Sequence, residues 1–444
     1  MHGFYPDSFA ISALSIHFSS AHPSLLFFPG GPLARSLNIG IVGGSLAGCS
    51  AAILLHRAGH EIAVYERSSG ALQGRGGGIG TTGNVLEALK RVDVVDPDFP
   101  HCSADRMPFI GKRIDDEPLG NVPWRMPLDL QTFRWSALWE TLRSRVPDEM
   151  YHAGTPVVGA DVLANDRVRL RFEEGEGKEF DLVIFADGAQ SLGRRLLFPE
   201  AELQYRGYIL WRGLLPEARM KNSAPLEGAV PRLAHLREPG NTVMYFIPGE
   251  DGERSPGQRV CNWAVYVPLR EELIPAFMTD RDGQLREGML PPGAMRPEEE
   301  QRLKQLAQDN LPAYYADIIT QTDETYAHLI FTADVPSYYK GRMCLIGDAG
   351  AVIQPFTGSG IFKGYNNIRS LIDAIEDSGD IDRALRQWDA MQIVIGRRLL
   401  ALGDQMEQAF IWNPLDLSSA DAQATETWWK RSVRFPDDFS LQRS

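Results

Sequence analysis

Short apolar runs and stretches of helical spacing alternate along the first two hundred residues of the chain. Ile39 to Val42 reads as a buried strand, and Leu46 to His56 follows with helical apolar spacing. A second apolar run, Ile62-Ala-Val-Tyr65, ends at Glu66. Asn84 to Lys90 is expected to be a helix, as is Gln131 to Val146, where Trp135, Leu138, Trp139 and Leu142 share one side. Arg167-Val-Arg-Leu-Arg-Phe172 alternates strictly, which predicts a half-exposed strand with Val168, Leu170 and Phe172 turned inward. Asp181 to Ala186 is a buried strand that ends in Asp187-Gly188. Alternation of this kind predicts an α/β chain with a parallel sheet.

From about Leu203 to Leu269 the texture changes. Runs rich in aromatic and β-branched residues (Tyr208 to Leu215, Thr242 to Ile247, Val260 to Val267) are separated by Pro-Gly turns, the pattern of an antiparallel sheet. Pro297 to Leu311 and Ala313 to Thr320 are expected helices. The buried-strand pattern then returns at Gly341 to Ile346, and a helix begins near Gly360. A long helix over Ile381 to about Phe410 is predicted to carry Leu385, Trp388 and Met391 on one face. The expected organisation is a poorly ordered extension over 1–36, a nucleotide-type unit over 37–200, an inserted β-sheet unit over 201–330, a return to the first unit over 331–412, and a tail over 413–444 without a readable pattern.

Composition narrows the classes. The chain has 444 residues, enough for two or three domains, and a formal net charge of -13. A field of that sign excludes non-specific binding to nucleic acid or to an anionic membrane surface. Cys49, Cys102, Cys261 and Cys344 have no C-x-x-C spacing, so a reducing cytosol and buried thiols are expected, with no metal site. No apolar stretch approaches membrane-spanning length. The first 34 residues lack Lys and Arg, unlike a signal or transit peptide. A cytoplasmic protein is expected; the sequence allows a homodimer without requiring one.

The chemistry begins at Gly43-Gly-Ser45-Leu46-Ala47-Gly48, between the first strand and the first helix. Gly43 permits the turn, Ser45 takes the middle glycine position, and Gly48 lets helix and strand pack closely. The helix N-terminus then presents free N–H groups to a pyrophosphate, and Glu66, followed by Arg67, is placed to accept from a ribose. Gly78-x-Gly80-x-x-Gly83 repeats the pattern without a preceding strand, and is read as a loop passing close to the same ligand. Arg134 is a further candidate contact. Asp187-Gly188 and Gly347-Asp348, the latter followed by Pro355, Gly358, Gly360 and Ile361, stand at strand ends, where α/β sheets place ligand-binding residues. Trp211, Tyr245, Trp263 and Tyr266 are candidate pocket aromatics, and His235, Tyr245 and Tyr266 are candidate bases. A rival reading makes Ser45 the nucleophile of a hydrolytic elbow, with His328 as its histidine.

Three motifs in this order resemble the single-component FAD-dependent aromatic hydroxylases, the fold of p-hydroxybenzoate and salicylate hydroxylases: the glycine fingerprint ending in Glu66-Arg67, Asp187-Gly188, and Gly347-Asp348 with Pro355, Gly358 and Gly360. Leu210-Trp-Arg-Gly213, Pro256 to Trp263, Leu290-Pro-Pro-Gly293 and Arg296-Pro-Glu298 are similar to the 2,6-dihydroxypyridine 3-hydroxylase type within it. The resemblance implies a Rossmann-like FAD-binding domain of the GR2 type, an inserted antiparallel β-sheet substrate domain and a long C-terminal helix. It implies that Glu66 holds the adenosine ribose, Asp348 the ribityl chain, and Asp187-Gly188 both FAD and a transient NADH or NADPH. The implied reaction is hydroxylation of a phenol- or hydroxypyridine-like ring by O₂ through a flavin C4a-hydroperoxide. An oxidase or an epoxidising or ring-modifying monooxygenase of secondary metabolism is the alternative on the same fold. The chain departs from the family at Trp135, Gly350-Ala351 and Phe362.

Overall fold

A computed structural model describes residues 36–70, 72, 77–113, 115 and 117–434. The expected extension over 1–36 lies outside them except for Ser36. The chain starts with β1 (Asn38–Val42), α1 (Leu46–Arg57) and β2 (Glu61–Tyr65), a βαβ unit with parallel strands. Then come β3 (Gly78–Thr82), α2 (Gly83–Arg91), β4 (Cys102–Gly111), β5 (Asn121–Arg134) and α3 (Trp135–Arg143). Strands β6 (Tyr151–His152), β7 (Val157–Val162), β8 (Val168–Phe172), β9 (Lys178–Phe180) and β10 (Leu182–Phe185) lead to α4 (Leu192–Leu197). The β-rich middle holds β11 (Gln204–Pro216), β12 (Arg232–Ala234), β13 (Asn241–Ile247), β14 (Val260–Pro268), α5 (Ile274–Met278), β15 (Met289–Leu290), α6 (Pro297–Asn310), α7 (Ala313–Thr320) and β16 (Thr325–Thr332). The chain returns through β17 (Tyr339–Lys340) and β18 (Met343–Leu345) to α8 (Gly360–Ser378), α9 (Ile381–Glu407), a π-helical turn (Gln408–Trp412) and α10 (Ala422–Ser432).

Among the described residues the strands form three sheets. The first, β17-β18-β10-β1-β2-β6, is parallel apart from the β17–β18 pair. Its central strands are covered on both faces, and Ile39, Ile41 and Leu182 to Phe185 are fully buried, which accounts for their continuous apolar runs. The small sheet β7-β8-β9 fits the strict alternation, with Val168 and Leu170 buried and Arg169 and Arg171 exposed.

The nine-stranded sheet, β15-β16-β11-β14-β13-β12-β4-β5-β3, corrects the expected boundaries. Its far strands come from 78–134, inside the segment expected to belong wholly to the nucleotide unit. Parallel pairing of Arg232 to Phe109 joins them to the rest, and β3 pairs Gly78 with Arg134. The Gly78 region is therefore an edge strand rather than a loop.

Alternation sorts this sheet into two faces. Ile209, Trp211, Met244, Phe246, Trp263, Val265 and Ala327 pack on α6 and α7 in one core. Tyr208, Leu210, Ala264, Tyr266 and Ile330 pack on the opposite face with Leu402, Met406, Phe410 and Trp429 from the C-terminal helices. That α10 belongs to this core corrects the reading of 413–444 as a patternless tail. On α9, Leu385 and Trp388 are buried as expected, but Met391 is 48% exposed and Gln392 takes the inward place. No helix of the described residues is long and apolar enough to cross a membrane.

Candidate active site

The turn between β1 and α1 can form only with glycine. Gly43 has φ +103°, and a Cβ there would lie 2.5 Å from the Ala186 carbonyl oxygen. A Cβ on Gly48 would lie 1.8 Å from the Gly43 oxygen. Ser45 is the N-cap of α1, yet its side chain makes no capping hydrogen bond, so the N–H groups of the first turn, beginning at Leu46 and Ala47, are left to a ligand. Glu66 is buried beside the turn, and its Oε2 accepts from the Gly44 N–H at 2.8 Å while Oε1 accepts from the Ser68 N–H at 2.9 Å. Arg67 next to it is exposed.

Gly44, which the motif leaves free, is constrained as well. Its carbonyl accepts from Trp139 Nε1 at 3.0 Å, Tyr151 OH at 3.1 Å and the Cys49 thiol at 3.2 Å. A Cβ there would stand 2.2 Å from the Tyr151 hydroxyl. Burial, the largest cause, pushes the Cys49 thiol up to about 12, so it is a protonated donor.

The second motif converges on the first. A Cβ on Gly364, in the first turns of α8, would lie 2.8 Å from Ala47 Cβ, and one on Gly347 would lie 3.2 Å from it. The Gly347-Asp348 turn, the start of α8 and the start of α1 thus form one wall. Asp348 is exposed, and its Oδ1 accepts from Lys363 Nζ at 2.7 Å; this buried ammonium also donates to the Ala351 carbonyl. Arg194, itself buried, donates to the Asp348 and Ala349 carbonyls at 3.0 and 3.3 Å and bolts the Asp187 segment to this turn. Pro355, Gly358 and Gly360 are exposed along the loop into α8, and Ile361 is half-buried behind them. Ser359, the N-cap of α8, makes no side-chain cap, so these N–H groups too are free for a ligand.

Opposite stands the inward face of the nine-stranded sheet. Gly78 donates its N–H to Asn262 Oδ1 at 2.8 Å, and its carbonyl accepts from Tyr245 OH at 2.8 Å and Arg212 Nη2 at 2.5 Å. A Cβ on Gly77 would lie 2.1 Å from the Tyr326 hydroxyl. Tyr326 OH, Asn262 Nδ2 and Arg212 Nε are buried without a hydrogen-bond partner. Buried polar atoms left open in this way mark a place that expects polar atoms from elsewhere. A glycine cradle, two uncapped helix starts and these orphan donors fit a dinucleotide whose ring end reaches the sheet.

The comparisons with known proteins agree. Residues 205–332, essentially β11 to β16, match the family described as FAD binding domain-like. The chain is 26% identical over 365 residues to the 2,6-dihydroxypyridine 3-monooxygenase of Paenarthrobacter nicotinovorans, covering 82% of this chain and 88% of that enzyme. It is 24% identical over 418 residues to an FAD-dependent monooxygenase of Aspergillus terreus, covering 85% and 88%. The chain is a relative of the FAD-dependent monooxygenases. Its fold is that of the 2,6-dihydroxypyridine-3-hydroxylase from Arthrobacter nicotinovorans, with a TM-score of 0.77 at 24% identity over 86% of this chain and 95% of that one.

Several expected site residues of this monooxygenase relative stand elsewhere. Trp211 and Trp263 are fully buried on the far face of the sheet, Trp211 against Phe277 and Trp263 donating to Thr322 Oγ1, so they are core and not pocket. Strand alternation separates them from Tyr245 and Tyr266. His235 lies at the β12–β13 turn, where Nε2 meets Thr242 Oγ1 at 2.9 Å, and burial lowers its pKa to about 3, too weak for a general base. Both oxygens of Asp187 serve α4: Oδ1 accepts from Ser191 Oγ at 2.5 Å, and Oδ2 from the Leu192 and Gly193 N–H groups at 2.7 and 3.2 Å. Arg134 Nε donates to the Pro248 and Gly249 carbonyls at 3.0 and 2.9 Å and secures the β13–β14 connection rather than the fingerprint turn. Gly80, two residues on and on the same face of β3, packs against Leu130 of β5 rather than against the cluster at Gly78. Tyr245 is a donor whose pKa burial raises to about 12. The elbow reading of Ser45 has no support: His328 is on β16 of the other sheet, packed edge-on against Tyr326.

Arg212, Asn262 and Tyr326 were not singled out as site residues by sequence reasoning. The available signal was a polar residue at the inward phase of an apolar strand, as Arg212 is two positions after Leu210.

Proposed function

We propose that this chain is an FAD-dependent monooxygenase that consumes NADH or NADPH and O₂ to hydroxylate an electron-rich aromatic or N-heteroaromatic ring. The observation that carries this is the meeting of three motifs far apart in sequence, at Gly43–Gly48, Gly347-Asp348 and Gly358–Gly364, on one wall facing the polar side of the nine-stranded sheet. FAD, when bound, supplies the redox chemistry and the activation of O₂.

The residues supply placement. The start of α1 at Leu46 and Ala47 receives the pyrophosphate, Glu66 accepts from the adenosine ribose, and Asp348 accepts from the ribityl chain. The N–H groups at Gly358 to Ile361 begin α8 and stabilise negative charge that develops on the ring system. Gly78, held by Asn262, Tyr245 and Arg212, fixes the edge of the ring cavity. Tyr245, Tyr266, Pro355 and Phe356 border the space for the aromatic substrate, and Tyr266 lies 5.5 Å from Phe356 ring to ring. Their apolar bulk keeps water away from the reacting atoms. A second glycine fingerprint in strand context is missing from the sequence, so the nicotinamide cofactor visits rather than resides. The four free thiols suit a reducing cytosol.

Turnover under ¹⁸O₂ with NADH and a panel of hydroxylated benzenes and pyridines tests the reading. One ¹⁸O atom per hydroxylated product is expected. Hydrogen peroxide alone, with every ring compound recovered unchanged, contradicts it.

A further inference from the structure

Lysine is rarely buried unless something holds its charge. Lys363 is the one buried lysine among the described residues, and its side chain is 2% exposed, against 48% for that of its partner Asp348. It sits in the first turns of α8, where its N–H donates to the Ser359 carbonyl at 3.0 Å, and the next residue is Gly364, packed on Ala47. The side chain turns back to the Gly347-Asp348 turn, where Nζ donates to Asp348 Oδ1 at 2.7 Å and to the Ala351 carbonyl. Lys363 thus joins α8 to the second motif and, through Gly364, to the fingerprint.

Stability does not account for this pair. The half-exposed Asp348 has water to solvate it and needs no buried partner. A buried ion pair can often be replaced by apolar residues without loss of stability, and the Ala351 carbonyl calls for one donor, which a neutral amide would supply. What needs a cation is the direction and the charge of Asp348. Its Oδ1 is tied inward, whereas Oδ2 accepts from none of the described residues and is left for a ligand. The backbone beneath is held as firmly. Arg194 donates to the Asp348 and Ala349 carbonyls, and the Gly347 N–H donates to Asn367 Oδ1 at 2.9 Å, whose Nδ2 donates to Gln392 Oε1 at 2.7 Å. Around the turn the carboxylates of Asp187 and Asp348 stand among the cations of Arg194 and Lys363, so their charges balance.

We propose that Lys363 is a positioning residue of the FAD site. Its ammonium turns Asp348 Oδ2 toward the ribityl hydroxyls and cancels a carboxylate charge that would otherwise oppose negative charge on the reduced ring. This rests on the reading that FAD occupies this wall. Without the ammonium, the carboxylate is free to turn to water and the turn gains a net negative charge.

The test reads FAD binding and flavin potential rather than turnover. FAD-free protein is titrated with FAD by the quenching of flavin fluorescence, and the midpoint potential of the FAD-loaded enzyme is measured by anaerobic equilibration with a reference dye. Lys363→Met is expected to weaken oxidised FAD roughly tenfold through the lost hold on Asp348. Reduced FAD should weaken by about a further tenfold through the unmatched charge, which lowers the two-electron potential by about 30 mV. Lys363→Arg should restore most of the potential. Asp348→Asn leaves the cation unmatched and should raise the potential, and the double variant should lie near the unmodified enzyme. A merely structural lysine would lower the melting temperature of the FAD-free protein and leave the potential where it was. An unchanged potential in folded Lys363→Met overturns the proposal. If that variant does not fold, an unchanged or lowered potential in Asp348→Asn overturns it. If FAD binds and neither variant moves the potential, this inference fails and the FAD reading stands; if the unmodified protein binds no FAD, both fail together.

Discussion

Gly44 shows how much of the nucleotide turn rests on a residue that the fingerprint does not specify. Its N–H and carbonyl together make four hydrogen bonds, to Glu66, Trp139, Tyr151 and Cys49. Gly44→Ala drives a Cβ into Tyr151 and is expected to destabilise the fold by on the order of 1–3 kcal/mol and to weaken FAD retention, measurable by thermal melts with and without added FAD. The two faces of the nine-stranded sheet give a paired expectation. Trp211→Ala empties a fully buried site and should cost about 3–5 kcal/mol in chemical denaturation, with little effect on the substrate KM of the folded fraction. Tyr245→Phe should leave stability within about 1.5 kcal/mol but disturb the Gly78 contact, shifting the visible spectrum of the bound flavin. The sequence already marked Gly43, Gly48 and Glu66, because their roles follow from a short local motif. It did not mark Gly44 or Asn262, because the Trp139 partner of Gly44 and the Gly78 partner of Asn262 lie 95 and 184 residues away.

At the scale of elements, local periodicity was a good guide and long-range pairing was not legible. The predicted α7 at Ala313–Thr320 and the start of α8 at Gly360 agree with the structure, since apolar spacing and breakers decide them. The membership of β3, β4 and β5 in the larger sheet depends on Arg232 pairing with Phe109 across more than a hundred residues, which no local pattern encodes. Helix α10 escaped reading for a related reason. Its Trp428 and Trp429 have meaning only against Phe109 and Phe410, with Phe410 and Trp429 stacked at 5.9 Å. Removing residues 421–444 should therefore expose that aromatic cluster. Increased binding of a hydrophobic dye and a lower melting temperature are expected; an unchanged melt would show that α10 adds nothing to the core.

For the whole molecule, buried neutral histidines set the acid limit. Burial lowers His235 to about 3 and lowers His328 to about 4, with Arg212 adding to the latter shift. In the unfolded chain both return to about 6.5. The unfolded state then binds more protons between those values, so stability rises with pH through that window and is lost as pH falls from about 6.5 toward 4. Each histidine contributes on the order of 3–5 kcal/mol across its full window. Melting temperatures from pH 8 to pH 5 should fall on the acid side, and His235→Gln should flatten the slope if it folds; a slope unchanged in that variant would assign the loss to other groups.

The central claim is that the wall built by Gly43–Gly48, Gly347-Asp348 and the start of α8 holds FAD against the polar face of the sheet, ready for reduction when an aromatic substrate is present. The direct measurement is the visible spectrum of the purified protein saturated with FAD, followed through anaerobic addition of NADH or NADPH with and without hydroxybenzoates and hydroxypyridines. A bound-flavin spectrum that bleaches much faster with particular ring compounds is predicted. A protein that stays colourless after incubation with FAD would contradict the account at its root.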